Sequence, residues 1–396
     1  MTGQLILNPG REKSVLLRHP WIFSGAVQSV KGNPASGETV DVMSSKGDWL
    51  CRAAYSPTSQ IRARVWTWSQ NEVVDESYFS QRIKAAIAYR QQMGLFKKSD
   101  AVRLVHGESD GLPGLVADIY GSVVVLQALS AGIDPWKMEL ARILKEQTGA
   151  DCVIERSDVE VRKLEGLDEY TGVLIGKEPA GEITINEGGL RFGVDVLHGQ
   201  KTGFYLDQRE NRILAGSLAH GRRVLNCFSY TGGFTVHALA GGAEEVLSID
   251  SSADALSTAR RNMELNDLPA NRASWLEADV FQALRNLRDR AETFDMIILD
   301  PPKFAPTAAH AAKAARAYKD INLLAFKMLR PGGLLFTFSC SGGITPDLFQ
   351  KIVAGAAQDA NVNARVSHWM TQAADHPVAL NFPEGHYLKG LVCEVG

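Results

Sequence analysis

Two short stretches of the sequence place reactive side chains at the ends of predicted strands. The segment LLFTFSCSGG, residues 334–343, is an apolar run that leads to Cys340 between two serines. The segment IILDPPKF, residues 297–304, is another apolar run that ends in Asp300 and two prolines. A lone cysteine more often packs as a small apolar group than reacts. A thiol placed where a strand ends, near a carboxylate, has instead the setting of a nucleophile.

The chemistry that suits this pair is conjugate addition to a pyrimidine ring. Carbon 5 of cytosine becomes nucleophilic once a thiolate adds to carbon 6, and a carboxyl group near N3 stabilises the charge that develops. Cys340 and Asp300 are therefore the predicted catalytic residues. Pro301, Pro302 and Lys303 form the predicted substrate loop, because successive prolines hold a rigid turn that cannot extend a sheet. The alternative is an ordinary turn that ends the strand, and the base for the carbon-5 proton is not evident.

Strands that alternate with helices must position these residues. From about residue 205, apolar strands are predicted at 222–228, 244–250, 273–279, 294–300 and 334–339. Helices are predicted between them at about 233–241, 252–266, 280–290 and 310–329. This alternation is typical of a parallel, doubly wound sheet, in which ligands bind beyond the carboxyl ends of the strands.

The ends of these strands carry the features of a site for an adenosine-bearing cofactor. Gly232 and Gly233 permit a sharp turn into a helix whose N-terminal amides face the ligand. Asp250 is placed for the ribose hydroxyls and Asp279 for the adenine amino group. The predicted cofactor-binding residues of this half are Phe228, Tyr230, Thr231, Gly232, Gly233, Asp250, Asp279 and Asp300.

Each of these features is weak when taken alone. A Gly-Gly turn opens many helices, and strand-end acids often serve only as helix N-caps. The loop also lacks the G-x-G-x-x-G pattern, which argues against a dinucleotide. Taken together, the features predict S-adenosylmethionine as the cofactor, because the neighbouring strand ends supply groups that handle a nucleobase.

The N-terminal region is basic and rich in tryptophan. Residues 1–70 carry a formal charge of +4, residues 71–190 carry −7 and residues 191–396 are balanced. Cations between aromatic rings suit phosphate contacts and base stacking, whereas a small β domain with core tryptophans is the alternative. The predicted RNA-binding residues are Arg11, Lys13, Arg18, Arg62 and Arg64.

Three regions differ in their patterns. Residues 1–72 are predicted as a small β-rich domain, residues 73–190 as a central α+β domain with a connecting helix at 76–94, and residues 191–396 as the α/β domain. The central region is expected to hold a turn at Tyr120-Gly121, a helix near 134–148 and a hairpin around residues 187–189. Nothing in the central region suggests catalysis.

The composition of the 396-residue chain is that of a soluble globular protein, with 45% hydrophobic residues and a formal net charge of −3. Its five scattered cysteines, with no C-x-x-C, argue against a disulfide framework and a zinc site and predict no metal. The N-terminus does not look like a signal peptide, and no apolar run is long enough to span a membrane. We therefore expect a cytoplasmic protein with no membrane partner.

The longer motifs resemble those of the bacterial ribosomal large-subunit methyltransferase I family, S-adenosylmethionine-dependent 23S rRNA cytosine-5 methyltransferases. The resemblance covers essentially the whole chain and includes GREKSVLLRHPWIFSGAV, YSPTSQIRARVWTW, GESDGLPGL, HGQKTGFYLDQRENR, NCFSYTGGF, DPPKF and FSCSGG. It implies an N-terminal PUA domain that binds RNA, a central α+β domain and a class I (Rossmann-like) methyltransferase domain. The implied partner is 23S rRNA, either naked or in a large-subunit particle.

The resemblance also implies roles for individual residues. Cys340 matches the nucleophile, Asp300 lies in the substrate loop, and Phe204 and Asp207 in KTGFYLDQR contact the cofactor. Many RNA cytosine-5 methyltransferases carry a second cysteine in the loop after the fourth strand, where it assists product release. DPPKF has none, so product release must use another group.

Two other functions are compatible with the sequence. An RNA N-methyltransferase could use an acid-Pro-Pro loop without a thiol, and a non-catalytic assembly factor could bind rRNA without turning over cofactor. Tyr318, Lys319 and Asp320 are expected to line an RNA groove or a solvated helix face. His376 and His386 are expected in turns near a final hairpin, Cys227 is expected in the core, and a homodimer is plausible.

Overall fold

The computed structural model describes residues 3–305 and 310–396. The chain divides into two compact units. The first comprises Met1–Glu187, Val194–Leu206 and Ala374–Gly385, and the second comprises Gly188–Gly193, Asp207–Ala373 and His386–Gly396. In the described part of the chain, no helix is both long enough and apolar enough to cross a membrane.

The first unit begins with a six-stranded sheet in the order β2-β6-β5-β4-β1-β3. All neighbouring strands are antiparallel except β1 and β4. Side chains alternate between the two faces of the sheet, and one face is buried. Val40 and Val42 of β4 are fully buried, whereas Thr39, Asp41 and Met43 are partly exposed. The elements are β1 (Gln4–Leu7), the short helix α1 (Lys13–Leu16), β2 (Trp21–Phe23), β3 (Val27–Lys31), β4 (Thr39–Met43), β5 (Trp49–Tyr55) and β6 (Ile61–Thr67).

A second sheet of the first unit has five strands in the order β11-β10-β9-β8-β7. The predicted connecting helix is confirmed as α2: Asp75 caps its N-terminus by accepting a hydrogen bond from the Tyr78 amide at 2.9 Å, and Gly94 follows it with a φ of +68°. The elements are α2 (Glu76–Gln92), β7 (Ala101–His106), β8 (Leu115–Tyr120), β9 (Val123–Ala128), α3 (Lys137–Thr148), β10 (Cys152–Arg156), α4 (Val161–Glu165) and β11 (Thr171–Ile175). The predicted turn at Tyr120-Gly121 is also confirmed, between β8 and β9. The predicted hairpin at residues 187–189 is confirmed as a separate two-stranded sheet of β12 (Ile183–Glu187) and β13 (Leu190–Val194).

Buried ion pairs stabilise the first unit. The guanidinium of Arg90, which is fully buried, donates to both carboxylate oxygens of Asp110, at 2.6 and 2.8 Å, and to the Asp375 carbonyl at 2.8 Å. Arg103 makes the same two-bond contact with Asp118, at 2.8 Å for each bond, and Thr202 donates to Asp118 at 2.6 Å. These bonds pair the buried charges and tie distant parts of the chain together.

The second unit contains a seven-stranded sheet in the order β16-β15-β14-β17-β18-β20-β19. Every strand and helix predicted for this half of the chain is present, with boundaries within a few residues except at β18, which begins earlier than predicted. The strands are β14 (Arg223–Cys227), β15 (Glu245–Asp250), β16 (Ala273–Glu277), β17 (Phe294–Leu299), β18 (Leu329–Ser339), β19 (Ala364–Met370) and β20 (Lys389–Val395). The helices are α5 (Arg209–Ser217), α6 (Gly233–Ala240), α7 (Ala253–Glu264), α8 (Val280–Asp289), α9 (Ala311–Met328) and α10 (Pro346–Asp359).

The topology of this sheet determines where a ligand can bind. The five strands from β16 to β18 are parallel, and β20 is antiparallel to both β18 and β19. The strand order reverses at β14, which has β15 on one side and β17 on the other. Ligands of such sheets bind beyond the carboxyl ends of the strands at this reversal. The described residues that follow β14, β15, β16, β17 and β18 therefore form the candidate site.

Candidate functional site

The loop after β14 has an unusual backbone conformation. Phe228 and Tyr230 have positive φ angles of +59° and +47°, which are uncommon for residues other than glycine. Gly232 follows with a φ of +78° and precedes the first residue of α6. Strained backbone of this kind clusters at sites that bind ligands. The predicted cofactor loop thus has three residues with positive φ within five positions, as expected of a ligand-binding turn.

Gly232 is also required by packing. A side chain at this position would place its Cβ atom 2.7 Å from the Cβ atom of Ala259 on α7, closer than two carbon atoms can approach. The glycine therefore allows the loop to pass against α7, and the amide groups at the N-terminus of α6 follow directly.

Asp250 and Asp279 both hold backbone amides. Asp250 accepts a hydrogen bond from the Tyr230 amide at 2.8 Å and another from the Ser252 amide at 3.0 Å, so it supports the strained loop. Asp279 is exposed and caps α8 by accepting from the Gln282 amide at 2.9 Å. A carboxylate has about four lone-pair sites, so each acid keeps capacity to accept bonds from a ligand. The sequence alternative, a helix cap, is thus correct for Asp279 without excluding a cofactor contact.

Buried hydroxyl groups on the same loop show that its polar groups fit an S-adenosylmethionine site. The Ser229 and Thr231 hydroxyls have no hydrogen-bond partner among the described residues, although the two side chains are only 6% and 9% exposed. Leaving such groups unpaired costs free energy, and native proteins rarely do so without a reason. The hydroxyl, amino and carboxylate groups of the cofactor are suitable partners for them.

Asp300 and Cys340 follow neighbouring strands, as predicted. The register of the parallel pair β17–β18 sets Leu299 opposite Thr337, so the chain leaves both strands at the same edge of the sheet. Of the five cysteines, Cys340 alone is partly exposed. Burial raises the pKa of Cys393 to about 12 and raises that of Cys227 further, so these thiols stay protonated and unreactive at neutral pH.

The turn that carries Cys340 is held by its neighbour Ser341. The Ser341 hydroxyl accepts from the Ala305 amide at 3.0 Å and shares a 2.9 Å hydrogen bond with the Tyr318 hydroxyl. Its carbonyl accepts from the ammonium of Lys389 at 2.8 Å. These contacts link the end of β18 to the substrate loop, to α9 and to β20.

The expectation that Tyr318 lines an RNA groove or a solvated face is wrong. Tyr318 is fully buried in the core and supports the Cys340 turn. Its neighbours lie at the surface in ion pairs: Lys319 pairs with Asp359 at 2.8 Å and Asp320 with Arg285 at 2.5 Å. The helical periodicity of α9 therefore turns Tyr318 toward the core, whereas Lys319 and Asp320 lie on its exposed face.

The remaining predicted site residues lie in different places. Pro301 is buried, whereas Pro302 and Lys303 are exposed. Asp207, in the second unit, is buried and accepts a 2.6 Å hydrogen bond from the Tyr387 hydroxyl. Phe204 belongs to the first unit, where its backbone bonds to the Tyr120 hydroxyl.

The predicted RNA-binding residues divide into two groups. Arg11, Lys13 and Arg18 are exposed, and Arg62 is half-buried and donates to the carbonyls of Ser56 and Pro57. Arg64 is only 7% exposed, and its guanidinium pairs with Glu165 at 2.8 Å. A buried guanidinium held in an ion pair cannot reach a phosphate group, so the assignment of Arg64 to the RNA surface is wrong.

The positions of three tryptophans favour the alternative prediction, a small β domain with core tryptophans, over base stacking. Trp66 is buried in the core of the first unit. The indole groups of Trp21 and Trp49 donate to Glu108 and Asp41, at 2.7 and 3.0 Å. His376, predicted in a turn, is buried and bonded to Asp375 at 2.8 Å.

Replacement of Gly232 by alanine is expected to lower the free energy of unfolding of the second unit by about 1–3 kcal/mol and to weaken S-adenosylmethionine binding by about tenfold. The cause is the close approach to Ala259 together with the positive φ. Calorimetric titration with the cofactor and denaturant unfolding would measure both effects. Gly355→Ala is the matched control, because its Cβ atom would meet only the Lys319 side chain, at an ordinary 3.6 Å. Wild-type stability and affinity in Gly232→Ala would contradict this account of the loop.

Comparison with known proteins agrees with this geometry. Residues 103–378 match the family model of S-adenosylmethionine-dependent methyltransferases, and residues 5–68 match that of PUA-like domains. The ribosomal RNA large subunit methyltransferase I proteins of Erwinia tasmaniensis and Tolumonas auensis are both 52% identical to the chain, covering 100% and 99% of each sequence, respectively. A solved structure of a candidate SAM-dependent methyltransferase from Streptococcus mutans superposes with a TM-score of 0.85 at 22% identity, covering 100% of both chains.

These matches confirm the predicted fold class and cofactor. The chain carries a PUA-like domain followed by the α/β domain of a methyltransferase that uses S-adenosylmethionine. With half of its residues identical to these relatives over its full length, the chain belongs to the ribosomal RNA large subunit methyltransferase I family.

Proposed function

We propose that this protein transfers a methyl group from S-adenosylmethionine to carbon 5 of a cytosine in 23S rRNA, through a covalent adduct between Cys340 and carbon 6. The observation that carries the proposal is the setting of Cys340. It is the one cysteine of the chain that is not buried, and it follows β18, which pairs with β17, the strand that Asp300 follows. Its relatives are named for methylation of large-subunit ribosomal RNA, which supports the substrate class.

The proposed reaction needs a thiolate, an acid and a base. The Cys340 thiolate forms a bond to carbon 6 with its own electron pair, and the Asp300 carboxyl group donates a hydrogen bond toward N3, where negative charge develops. When bound, S-adenosylmethionine would supply an electrophilic methyl group. Carbon 5 of the resulting enamine would bond to this methyl group as the methyl–sulfonium bond breaks and its electron pair stays on the sulfur of S-adenosylhomocysteine. A base then takes the carbon-5 proton, and the carbon–sulfur bond breaks with its electrons returning to sulfur.

The residues of the second unit would hold the cofactor by the groups already described. Asp250 keeps one lone-pair site on each oxygen for the ribose hydroxyls, because each oxygen accepts a single backbone bond. Asp279 would accept from the adenine amino group, and the backbone at Gly232 and Gly233 would approach the methionine part. The unpartnered Ser229 and Thr231 hydroxyls would complete the contacts.

We also propose that the chain works as three regions, residues 1–72, 73–190 and 191–396, with RNA contacts in the first. The exposed Arg11, Lys13 and Arg18 are positioned on the surface of a PUA-like domain and can neutralise phosphate groups. A cytoplasmic location and a homodimer stay predictions from the sequence.

The atom that receives the methyl group can be identified with rRNA that carries tritium at cytosine carbon 5. We expect wild-type protein with S-adenosylmethionine to release one tritium for each methyl group transferred, because carbon 5 must lose its hydrogen. Methyl transfer with retention of tritium would show that the target is a nitrogen or oxygen atom, as in an N-methyltransferase. Binding of rRNA with neither transfer nor release would identify a non-catalytic assembly factor.

A further inference from the structure

Lys389 is a buried lysine directly beside the cysteine turn. It is the first residue of β20, and the antiparallel register places it opposite Ser339, the residue before Cys340. Its side chain is only 6% exposed. Lysine is among the residues least often buried, and a buried ammonium requires compensating contacts. The position of Lys389 therefore calls for an explanation that a surface lysine would not.

Lys389 contacts the residues on both sides of Cys340 in the chain. Its backbone lies opposite Ser339, and its ammonium donates to the carbonyl of Ser341, the residue after Cys340, at 2.8 Å. A second hydrogen bond goes to the carbonyl of Tyr387 at 2.8 Å. An ammonium group has three N–H donors, and no described residue accepts the third. One donor of this buried ammonium thus has no described acceptor, at a position beside the turn that carries Cys340.

The charges around Lys389 point to the same pairing. Burial, and to a smaller extent the charge of Lys303, lower the pKa of Lys389 to about 8, although the charge of Cys340 favours the protonated amine. Tyr318, whose hydroxyl bonds to Ser341 in the cysteine turn, has its pKa raised by burial and so carries no charge at neutral pH. Lys389 is mostly protonated at pH 7, and it interacts electrostatically with Cys340.

We propose that Lys389 is a positioning residue that holds Cys340 as a thiolate, ready to attack carbon 6 of the cytosine. The inference rests on the proposed function, because it assumes that Cys340 is the nucleophile. A fixed cation stabilises the thiolate over the thiol and so increases the fraction of reactive sulfur at neutral pH. The same charge stabilises the sulfur when the carbon–sulfur bond breaks and its electrons return to the thiolate. This aids product release in a chain whose substrate loop has no second cysteine.

The charge of Lys389 can be tested without RNA or cofactor, by the rate at which iodoacetamide alkylates Cys340 at different pH values. Lys389→Gln keeps a hydrogen-bond donor for the Ser341 carbonyl but removes the charge, and Lys389→Arg keeps the charge. We expect Lys389→Gln to react about tenfold more slowly than wild type at pH 7, with the difference vanishing at high pH, where every thiol is ionised. Lys389→Arg should stay within about threefold of the wild-type rate at pH 7.

Two controls identify the reacting group. Cys340→Ser should remove the label, because the other four cysteines are buried. Lys351→Gln, at an exposed lysine of α10 that pairs with Asp347, should leave the rate nearly unchanged. Wild-type rates in Lys389→Gln at all pH values would overturn the inference, and so would equal losses in Lys389→Gln and Lys389→Arg. The first result would show that the charge is irrelevant, and the second that Lys389 only supports the turn.

Failure of this inference can be told apart from failure of the proposed function. If alkylation is unaffected by Lys389→Gln while wild-type protein still releases tritium from carbon 5, the lysine assignment alone is wrong. If wild-type protein methylates RNA without tritium release, the covalent mechanism is wrong, whatever the alkylation rates show.

Discussion

Replacement of Cys340 by alanine is expected to lower the rate of methyl transfer to rRNA by at least about 10⁴-fold, because in the proposed mechanism this side chain forms the covalent bond that activates the cytosine ring. Cofactor affinity should be unchanged, since the cofactor loop lies after β14 and β15 and the cysteine lies after β18. Stability should change less than on removal of a fully buried cysteine, because Cys340 is partly exposed. Single-turnover transfer of labelled methyl groups, with calorimetric titration of the cofactor, would measure both quantities.

Cys393→Ala is the matched control for this experiment. Cys393 lies on β20 and is buried in the core, so its loss is expected to lower the free energy of unfolding by about 1 kcal/mol or more while transfer continues in the folded protein. If Cys340→Ala and Cys393→Ala transferred methyl groups equally well, Cys340 would be a structural residue. The N-methyltransferase alternative would then account better for the DPPKF loop.

Replacement of Arg90 by methionine is expected to lower the free energy of unfolding of the first unit by about 3–5 kcal/mol. The change removes a fully buried guanidinium that donates to both oxygens of Asp110 and to the Asp375 carbonyl. Asp110 would be left as a buried carboxylate without its partner cation. Three carbonyls, those of Ala86, Arg103 and Asp375, would lose a charged donor. Denaturant unfolding followed by tryptophan fluorescence would measure the effect, because five of the seven tryptophans belong to the first unit.

Arg142→Met provides the comparison for a surface ion pair. Arg142 is exposed and pairs with Glu76 and Glu146, and pairs of this kind contribute little because water and salt screen them. We expect no measurable change in its unfolding midpoint. An Arg90→Met protein as stable as Arg142→Met would show that the buried pair makes no net contribution to the fold.

The elements of the second unit could be predicted because each depends on a local pattern. The apolar run VLNC within β14 and the run MIIL within β17 are typical of strands buried on both faces, and glycines or prolines follow each of them. The roles of Asp300 and Cys340 as neighbours followed from the usual strand order of such sheets, which the register of β17 and β18 confirms.

The sequence predicted less where a residue depends on distant partners. Arg64 lies in an alternating cationic and aromatic pattern that suggests a surface, but its partner Glu165 is about one hundred residues away. The same limit applies to Arg90, because nothing in the local sequence indicates its buried ion pair with Asp110 or its hydrogen bond to the Asp375 carbonyl. Tyr318 was placed at the surface because its immediate neighbours are charged, whereas the periodicity of α9 turns it toward the core.

Lys389 is the site residue that sequence reasoning missed. It begins the apolar strand KGLVCEV near the end of the chain, where a lysine resembles an ordinary strand boundary. What marks Lys389 is that β20 pairs with β18, the strand that Cys340 follows. This antiparallel pairing is known only from the structure. A lysine at the start of a buried strand gains significance only once its neighbour is identified.

The most direct test of the covalent mechanism is to trap the adduct with rRNA that contains 5-fluorocytidine. After addition of Cys340 to carbon 6 and methylation at carbon 5, fluorine cannot leave as a proton does, so the carbon–sulfur bond cannot be eliminated. We predict a stable protein–RNA complex with wild-type protein and S-adenosylmethionine, the RNA attached at Cys340 by mass spectrometry, and no complex with Cys340→Ala. Methylation of the fluorinated RNA by wild-type protein without any covalent complex would contradict the proposed mechanism.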